Sequence, residues 1–361
     1  DIAEVGAGGG SIAAVDSAGG IKVGPRSAGA EPGPVCYDHG GTEPTVTDAN
    51  LLLGYLNAGA LVGGDLPLNF AKARAAIDEI GRQLKLSGTD AAYGIHLIAN
   101  ASMLRALRAI SSERGHDPAK FILLAIGGNG PVHAATLAEA AGMTHVVVPP
   151  VAGLFSALGM LFADVEHQLV KSFYRPFRKT SVADFNAAAA ELVASGRKVL
   201  AEQGFTAAAR QRITLEVDIK YFGQTAPLAV ALADAQLASF DELVRAFEDE
   251  HQRTFGYASS GESMQFVALK AICRGVPESP RMPASAERAN EHAVRPSERR
   301  AYYGDKLGWQ VTPVVARAAL GRDPRAGPLI IEEYDTTIIV RPGWTARLDD
   351  WNNVHMERAA L

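Results

Sequence analysis

The segment FILLAIGGNGPVHAATLAEAAG, residues 121–142, decides how the chain can fold. Its apolar run at 121–126 predicts a buried strand, the glycines and proline at 127–131 predict a tight turn, and residues 132–141 predict a helix. A strand, a glycine turn and a helix N-terminus in series favour an anion site, since free backbone N–H groups and the helix dipole point the same way. An ordinary β–α connection explains the same residues, so the segment alone leaves both interpretations open.

Length and charge set the class of protein. The chain has 361 residues, enough for two or three domains, and a net charge of −5. That charge gives no electrostatic case for nucleic acid or an anionic membrane as partner. Two distant cysteines, Cys36 and Cys273, cannot form a disulfide framework and favour a reducing, cytoplasmic compartment. The chain opens on DIAEVGAGGG without a methionine, which we interpret as the interior of a larger protein.

The first fifty residues are rich in glycine and turn residues. A glycine run at 6–11 precedes two short predicted strands, and residues 24–50 read as an ordered functional loop. Asp48 can cap a helix expected to begin at Leu51, or it can bind a metal or ligand. Cys36 in this loop is interpreted as a buried structural thiol, with a nucleophile as the alternative.

Three further parts follow the loop. Helical and strand patterns alternate up to about residue 172, including a predicted tightly packed helix at 153–165, and this order predicts an α/β layer with ligands at one strand edge. Residues 173–275 predict an α+β domain, in which 212–221 alternates strictly between apolar and polar residues. A proline-rich linker is expected at 276–298 and a small, separate β-rich module at 299–361.

The chemistry available to the chain is limited. The nine histidines are dispersed without metal-ligand spacing, and no GxSxG elbow, Walker A lysine motif or GxGxxG fingerprint occurs. His133 lies in the first turn of the helix after the glycines, where it either contacts a ligand or only packs. Two glycine-rich elements, at 6–11 and 127–130, therefore remain as the candidates for a ligand site.

Several segments resemble one family. They are GAGGGSIA at 6–13, the loop VGPRSAGAEPGPVCYDHGGTEPTVTDANLLLG at 23–54, IANASMLRALRAISSERGHDP at 98–118, AIGGNGPVHA at 125–134, VPPVAGLFSALGMLFADV at 148–165, YFGQ at 221–224, HQRTFGY at 251–257 and GPLIIEEYDTTIIVRPGW at 327–344. In this order the chain resembles the hydantoinase/oxoprolinase A family. That family includes ATP-dependent N-methylhydantoinases, 5-oxoprolinase, caprolactamase A subunits and the β-type subunits of acetone carboxylases.

The resemblance implies the C-terminal part of an actin-like (ribonuclease H-like) ATPase core that binds ATP and Mg²⁺. It implies nucleotide contacts in the two glycine elements, with the second on the adenosine side. Those contacts are Gly8, Gly9, Gly10, Ser11, Gly127, Gly128, Asn129 and Gly130. Relatives often have alanine or glycine at the position of Asn129, which puts base contacts there in question. The aspartate-bearing hairpins that bind phosphate and magnesium are expected before residue 1.

The implied activity is ATP-dependent hydrolysis of a cyclic amide or imide, whose carbonyl is activated by phosphoryl transfer. The implied partners are a B-type subunit, the N-terminal part of the same ATPase core and a small-molecule substrate. Asp48 and His133 are the candidate catalytic residues, and Asp48 is the candidate metal ligand. Two alternatives stay open, an ATP-dependent ketone carboxylase subunit and a non-catalytic scaffold half of a split ATPase.

Overall fold

The structure is a computed structural model that describes residues 4–59, 61–232, 236–259, 261–278 and 296–358. The described residues divide into two units, one within 1–159 and 284–361 and the other within 160–283. The helices are α1 (Val46–Leu52), α2 (Phe70–Leu84), α3 (Gly88–Ile110), α4 (Gly130–Ala141), α5 (Phe155–Phe162), α6 (Val182–Glu202) and α7 (Asp241–Phe255). The strands are β1 (Ser11–Val15), β2 (Ile21–Ser27), β3 (Leu123–Leu124), β4 (His145–Val148), β5 (Val165–Pro176), β6 (Gln211–Tyr221), β7 (Leu228–Leu232), β8 (Met264–Gly275), β9 (Ser297–Tyr302), β10 (Trp309–Ala316), β11 (Arg325–Ala326), β12 (Leu329–Glu332), β13 (Thr337–Val340), β14 (Trp344–Leu348) and β15 (Val354–Arg358).

The first unit contains three sheets and helices α1 to α4. Strands β1 and β2 form an antiparallel hairpin, a second sheet has the order β13-β12-β10-β9, and a third has the order β11-β14-β15-β4-β3. Helices α1, α2 and α3 pack on one another, and α4 packs on β13 and β4. The predicted mixed α/β class is therefore confirmed.

The expectation of a separate β module at 299–361 is wrong. Strand β15 pairs antiparallel with β4, with His355 opposite Val147, and both strands lie in one sheet. Strands β9 to β15 thus complete the sheets of the first unit. Of the predicted linker at 276–298, residues 279–295 lie outside the described residues.

Two apolar segments are exposed where the sequence predicts burial. Within 121–126 only Leu123–Leu124 forms a strand, and it lies at the edge of its sheet, where Ile122 is 57% exposed and Leu124 51%. Helix α5, expected to be tightly packed, buries none of its side chains. Apolar composition indicated burial in both cases, but the described residues provide no covering layer for either segment.

Helix starts follow local capping chemistry. Helix α1 begins at Val46 rather than at Leu51, because Thr45 caps it and Asp48, in the third helical position, closes a capping box with Thr45. Asn69 caps α2, accepting from the Lys72 N–H at 3.1 Å. The starts of α1 and α2 are therefore fixed by their own sequences.

The second unit is a four-stranded antiparallel sheet, β5-β8-β6-β7, with α6 and α7. The alternation predicted at 212–221 is confirmed by β6, whose residues Leu215, Val217, Ile219 and Tyr221 are buried. Helix α6 contributes Phe185 to the same core, which identifies an α+β unit. None of the helices in the described ranges combines the length and apolar character that a membrane span requires.

Candidate functional site

The glycine turn at 127–130 joins β3 to α4 and is held by its carbonyl groups. The hydroxyl of Thr336 lies 3.3 Å from the Gly127 carbonyl and 3.1 Å from the Gly128 carbonyl. The N–H of Gly127 donates to the Ala152 carbonyl at 2.7 Å. Gly127 has a φ of +86°, which disfavours any side chain there. The turn is thus anchored by the backbone bond from Gly127 to Ala152 and by the hydroxyl of Thr336, the residue that precedes β13.

Backbone donors remain free on the turn. Helix α4 has no side-chain cap, and the N–H groups of Gly128, Asn129 and Gly130 donate to no acceptor among the described residues. Gly128 is exposed, and the other two are half-buried. Free N–H groups at a helix N-terminus carry partial positive charge. The turn can therefore bind an anion or a polar ligand through its backbone.

The glycine element at 6–11 lies against this turn. The carbonyl of Gly9 accepts from the Thr47 N–H at 2.9 Å and from the Thr47 hydroxyl at 3.0 Å, which ties the element to α1. A Cβ on Gly9 would lie 3.4 Å from the Asn129 side-chain nitrogen. In the described chain, the N–H groups of Gly9 and Gly10 also lack acceptors. The structure thus brings the two predicted glycine elements together at Gly9 and Asn129.

A buried polar network lies beneath this contact. His133 Nε2 is 3.1 Å from Asn129 Nδ2 and 3.2 Å from Asn50 Nδ2. Its other nitrogen, Nδ1, is 3.1 Å from Asn100 Oδ1. His133 is 1% exposed and Asn50 is fully buried. His133 therefore contacts the glycine turn through Asn129, from inside the protein.

The network continues to a second histidine. His96 Nδ1 lies 2.8 Å from Asn50 Oδ1, and the His96 ring stacks on the His133 ring with 4.6 Å between centroids. Burial lowers the pKa of His133 to about 4. Burial, with His133 and Arg341 nearby, lowers the pKa of His96 well below its ordinary value. Both rings are neutral at pH 7, and among the described residues His96 Nε2 has no hydrogen-bond partner.

Asp48 has a structural role in this geometry. Its carboxylate accepts from the N–H groups of Val35 (3.2 Å), Cys36 (2.7 Å) and Thr45 (2.8 Å) and from the Thr45 hydroxyl (2.8 Å). The residue is fully buried, so these donors occupy both oxygens. This geometry supports capping, the first of the two roles the sequence allowed, and speaks against a metal or catalytic role.

Two other sequence hypotheses can be placed. Burial raises the pKa of the Cys36 thiol, and the side chain is fully buried, which supports the structural thiol. No group of three or more His, Cys, Asp or Glu side chains in the described ranges is arranged to hold a metal ion.

Sequence reasoning missed Asn50, His96, Asn100 and Thr336. A signal was present for two of them, because His96 and Asn100 are four residues apart beside the buried stripe residues Ile95 and Ala99 of α3. Paired polar residues at buried helical positions indicate a hydrogen-bonded network.

Comparisons with known proteins match both parts of the chain. Residues 1–169 match the hydantoinase/oxoprolinase family model, and residues 176–359 match the model of the hydantoinase/oxoprolinase C-terminal domain. The chain is 38% identical to caprolactamase subunit alpha from Pseudomonas jessenii over 96% of its own length and 51% of that protein. It is 34% identical to the acetophenone carboxylase gamma subunit from Aromatoleum aromaticum over 96% of this chain and 49% of that protein.

Two further comparisons extend the range of relatives. Identity to 5-oxoprolinase 1 from Arabidopsis thaliana is 31% over 99% of this chain and 29% of that protein. The crystal structure of ATP-dependent caprolactamase from Pseudomonas jessenii superposes with a TM-score of 0.86 at 36% identity, covering 98% of this chain and 52% of that one. The chain thus spans between 29% and 52% of the length of these relatives. With both family models matched in order, the chain belongs to the hydantoinase/oxoprolinase family.

Proposed function

We propose that this chain is part of an ATP-dependent hydrolase of cyclic amides or imides and that the turn at 127–130 borders its nucleotide site. The observation that carries the proposal is the row of free N–H groups on Gly128, Asn129 and Gly130 at the uncapped start of α4. The kinship to caprolactamase and 5-oxoprolinase supports the reaction class.

We place the nucleotide against the two glycine elements, because backbone N–H groups rather than charged side chains supply the binding groups there. Gly8, Gly9, Gly10 and Ser11 lie on one side of the Gly9–Asn129 contact, and the turn at 127–130 lies on the other. Backbone N–H groups can bind phosphate oxygens or the polar edge of a nucleoside without a lysine. We assign the turn to the adenosine side, within an actin-like core that the rest of the polypeptide completes.

Magnesium, unlike the nucleotide, has no fitting site among the residues that the structure describes. The described residues do not fit a resident metal site, because Asp48 is occupied by four protein donors and no acidic cluster lies near the turn. We therefore derive no step through the metal from this chain.

When bound, ATP supplies the phosphoryl group that makes a carbonyl carbon electrophilic toward water. This chain's own residues bind and orient: Thr336 holds the carbonyls of Gly127 and Gly128, and the N–H groups of the turn that donate to no described acceptor are available to the ligand. Electrostatic positioning of this kind requires no nucleophilic side chain, which agrees with the inert, buried Cys36.

A B-type partner subunit belongs to the proposal, since the caprolactamase and acetophenone carboxylase relatives are themselves subunits. We place the assembly in the cytoplasm, in keeping with two free, buried cysteines.

The experiment uses the full-length protein with its partner subunit. We expect ADP release that depends on one of hydantoin, 5-oxoproline or caprolactam, together with ring opening of that substrate. A Gly128→Val variant is expected to lose the activity. Absence of ATP binding by the full-length protein contradicts the proposal and favours the scaffold role, whereas unchanged turnover by that variant refutes the nucleotide role of the turn.

A carboxylase is the second candidate, favoured by the 34% identity to an acetophenone carboxylase subunit. Its test is a ketone with bicarbonate in place of the amide. Ketone-dependent fixation of labelled bicarbonate, with no amide ring opening, assigns the chain to that branch.

A further inference from the structure

One backbone carbonyl fixes the direction of every hydrogen bond in the buried network. The side-chain nitrogen of Asn100 donates to the His96 carbonyl at 2.9 Å. The oxygen of the same amide therefore faces His133 Nδ1 at 3.1 Å, and only a protonated Nδ1 can donate to it. His133 is thus protonated on Nδ1 and carries a bare Nε2.

The bare Nε2 sets the two neighbouring amides. It accepts from Asn129 Nδ2 at 3.1 Å, and Asn50 Nδ2 lies 3.2 Å away on the same lone-pair side. The Asn50 oxygen consequently faces His96, whose Nδ1 donates to it at 2.8 Å. The oxygen of Asn129 lies 3.4 Å from Asn50 Nδ2. Reversing any one amide would place two donors or two acceptors face to face.

We propose that His133 is a positioning residue, which holds the Asn129 amide inward against Gly9 and thereby fixes the glycine turn for a nucleotide. The inference rests on the proposed nucleotide site. It leaves the Asn129 backbone N–H, rather than its side chain, for the ligand. His133 itself touches no ligand, because it is 1% exposed and both its nitrogens are bonded within the protein.

The arrangement links the turn to two helices. Asn50 belongs to α1, whose Thr47 holds the Gly9 carbonyl, and Asn100 belongs to α3. Without the acceptor on His133, the Asn129 side chain is no longer held in one orientation. The distance between the two glycine elements is then no longer fixed by that side chain. The loss therefore appears in nucleotide affinity as well as in stability.

The test measures ATP affinity of the full-length protein by fluorescence or calorimetric titration. We expect His133→Leu to raise the Kd roughly 10- to 100-fold, the range that loss of a buried hydrogen bond produces. His133→Gln offers one acceptor and one donor in similar positions, and we expect its Kd within about threefold of wild type. Asn129→Ala, which removes only the half-buried amide, is expected to behave like His133→Leu.

Thr312→Val is the matched control. Thr312 is fully buried in the same unit and pairs with the Tyr303 hydroxyl at 3.2 Å, and among the described residues its hydroxyl bonds otherwise only to the Gln310 carbonyl. We expect it to lower stability and to leave the Kd unchanged. Wild-type affinity in Asn129→Ala, or an equal loss in Thr312→Val, overturns the positioning role, and so does a failure of His133→Gln to rescue.

A spectroscopic measurement separates this inference from the proposed function. Nitrogen-15 NMR of selectively labelled histidine distinguishes protonated from bare ring nitrogens. At pH 7 we expect His133 to be neutral, with the proton on Nδ1. The opposite tautomer or a charged ring overturns the inference even where ATP binds, whereas absent ATP binding with the expected tautomer refutes the proposed function and its nucleotide part, and leaves only the hydrogen-bond network of His133.

Discussion

Replacing Asp48 by asparagine separates a structural carboxylate from a metal or catalytic one. The Oδ2 atom accepts from three donors and the Oδ1 atom accepts from the Cys36 N–H at 2.7 Å. In either orientation, the amide of Asp48→Asn directs an NH₂ group at one or more of these donors. Hydrogen bonds to a charged group contribute about 1.5–3 kcal/mol each, and a helix cap contributes about 1 kcal/mol.

The least disruptive orientation sacrifices the Cys36 bond and weakens the other three. We therefore expect Asp48→Asn to lower the free energy of unfolding by about 2–4 kcal/mol, measured by urea denaturation of the full-length protein with and without Mg²⁺. Asp16→Asn is the control, because Asp16 also accepts two backbone N–H bonds but is exposed, and we expect little change there. An unchanged or increased stability for Asp48→Asn, or a loss seen only with Mg²⁺, would refute the structural assignment.

Three further perturbations test other parts of the unit. Gly128→Val brings a Cβ to 3.3 Å from the Asp335 carbonyl and lays its methyl groups beside the free N–H groups, so we expect nucleotide Kd to rise at least roughly tenfold in titrations with little change in Tm. The pKa of His133 is about 4 in the folded protein, whereas an ordinary histidine has a pKa of 6.5. Between these two pH values the unfolded chain therefore binds a proton that the folded chain does not. The contribution of this residue to stability is complete above pH 6.5 and falls by about 3 kcal/mol as the pH drops toward 4, so His133→Gln should make the urea-derived profile less steep, while the lowered pKa of buried His96 retains part of the slope. Arg317→Met leaves the Glu333 carboxylate, whose side chain is only 11% exposed, unpaired and frees three carbonyls that Arg317 holds, so we expect a loss of about 3–5 kcal/mol in urea denaturation, and a loss below 1 kcal/mol would contradict the assigned pairing.

Local signals predicted most elements of the fold. The glycine turn and the pattern after it located α4, and alternation located β6, because these features depend on residues close in sequence. The placement of β15 beside β4 was not predictable in this way. That pairing joins residues about two hundred positions apart, and a short strand carries no mark of its neighbour.

The solvent exposure of the apolar run at 121–126 was also not predicted from the sequence. The run at 121–126 is apolar enough for a core strand, yet Ile122 and Leu124 are half exposed. Composition predicts that such residues will be covered, but it does not say which part of a polypeptide covers them.

The candidate site shows the same division between local and distant information. The sequence indicated both glycine elements and His133, since each lies in a recognisable local pattern. Contact between Gly9 and Asn129 depends on α1, α3 and α4 packing together, which local patterns do not encode. Asp48 illustrates the reverse case, because the sequence already allowed it a capping role and the structure supports that simpler role, in a capping box with Thr45.

A glycine turn that binds a ligand through its backbone faces an opposing requirement. Glycine permits the positive φ of Gly127 and the close approach of a ligand at Gly128. The same conformational freedom, however, lets the N–H groups that must point at a ligand adopt many orientations. Here two polar side chains limit that freedom, Thr336 at the turn's carbonyls and His133 at the Asn129 amide. A charged histidine would donate from Nε2 and repel that amide, whereas burial keeps the ring neutral. The burial of His133 is therefore part of how the turn is held, because only the neutral ring offers the acceptor that orients Asn129.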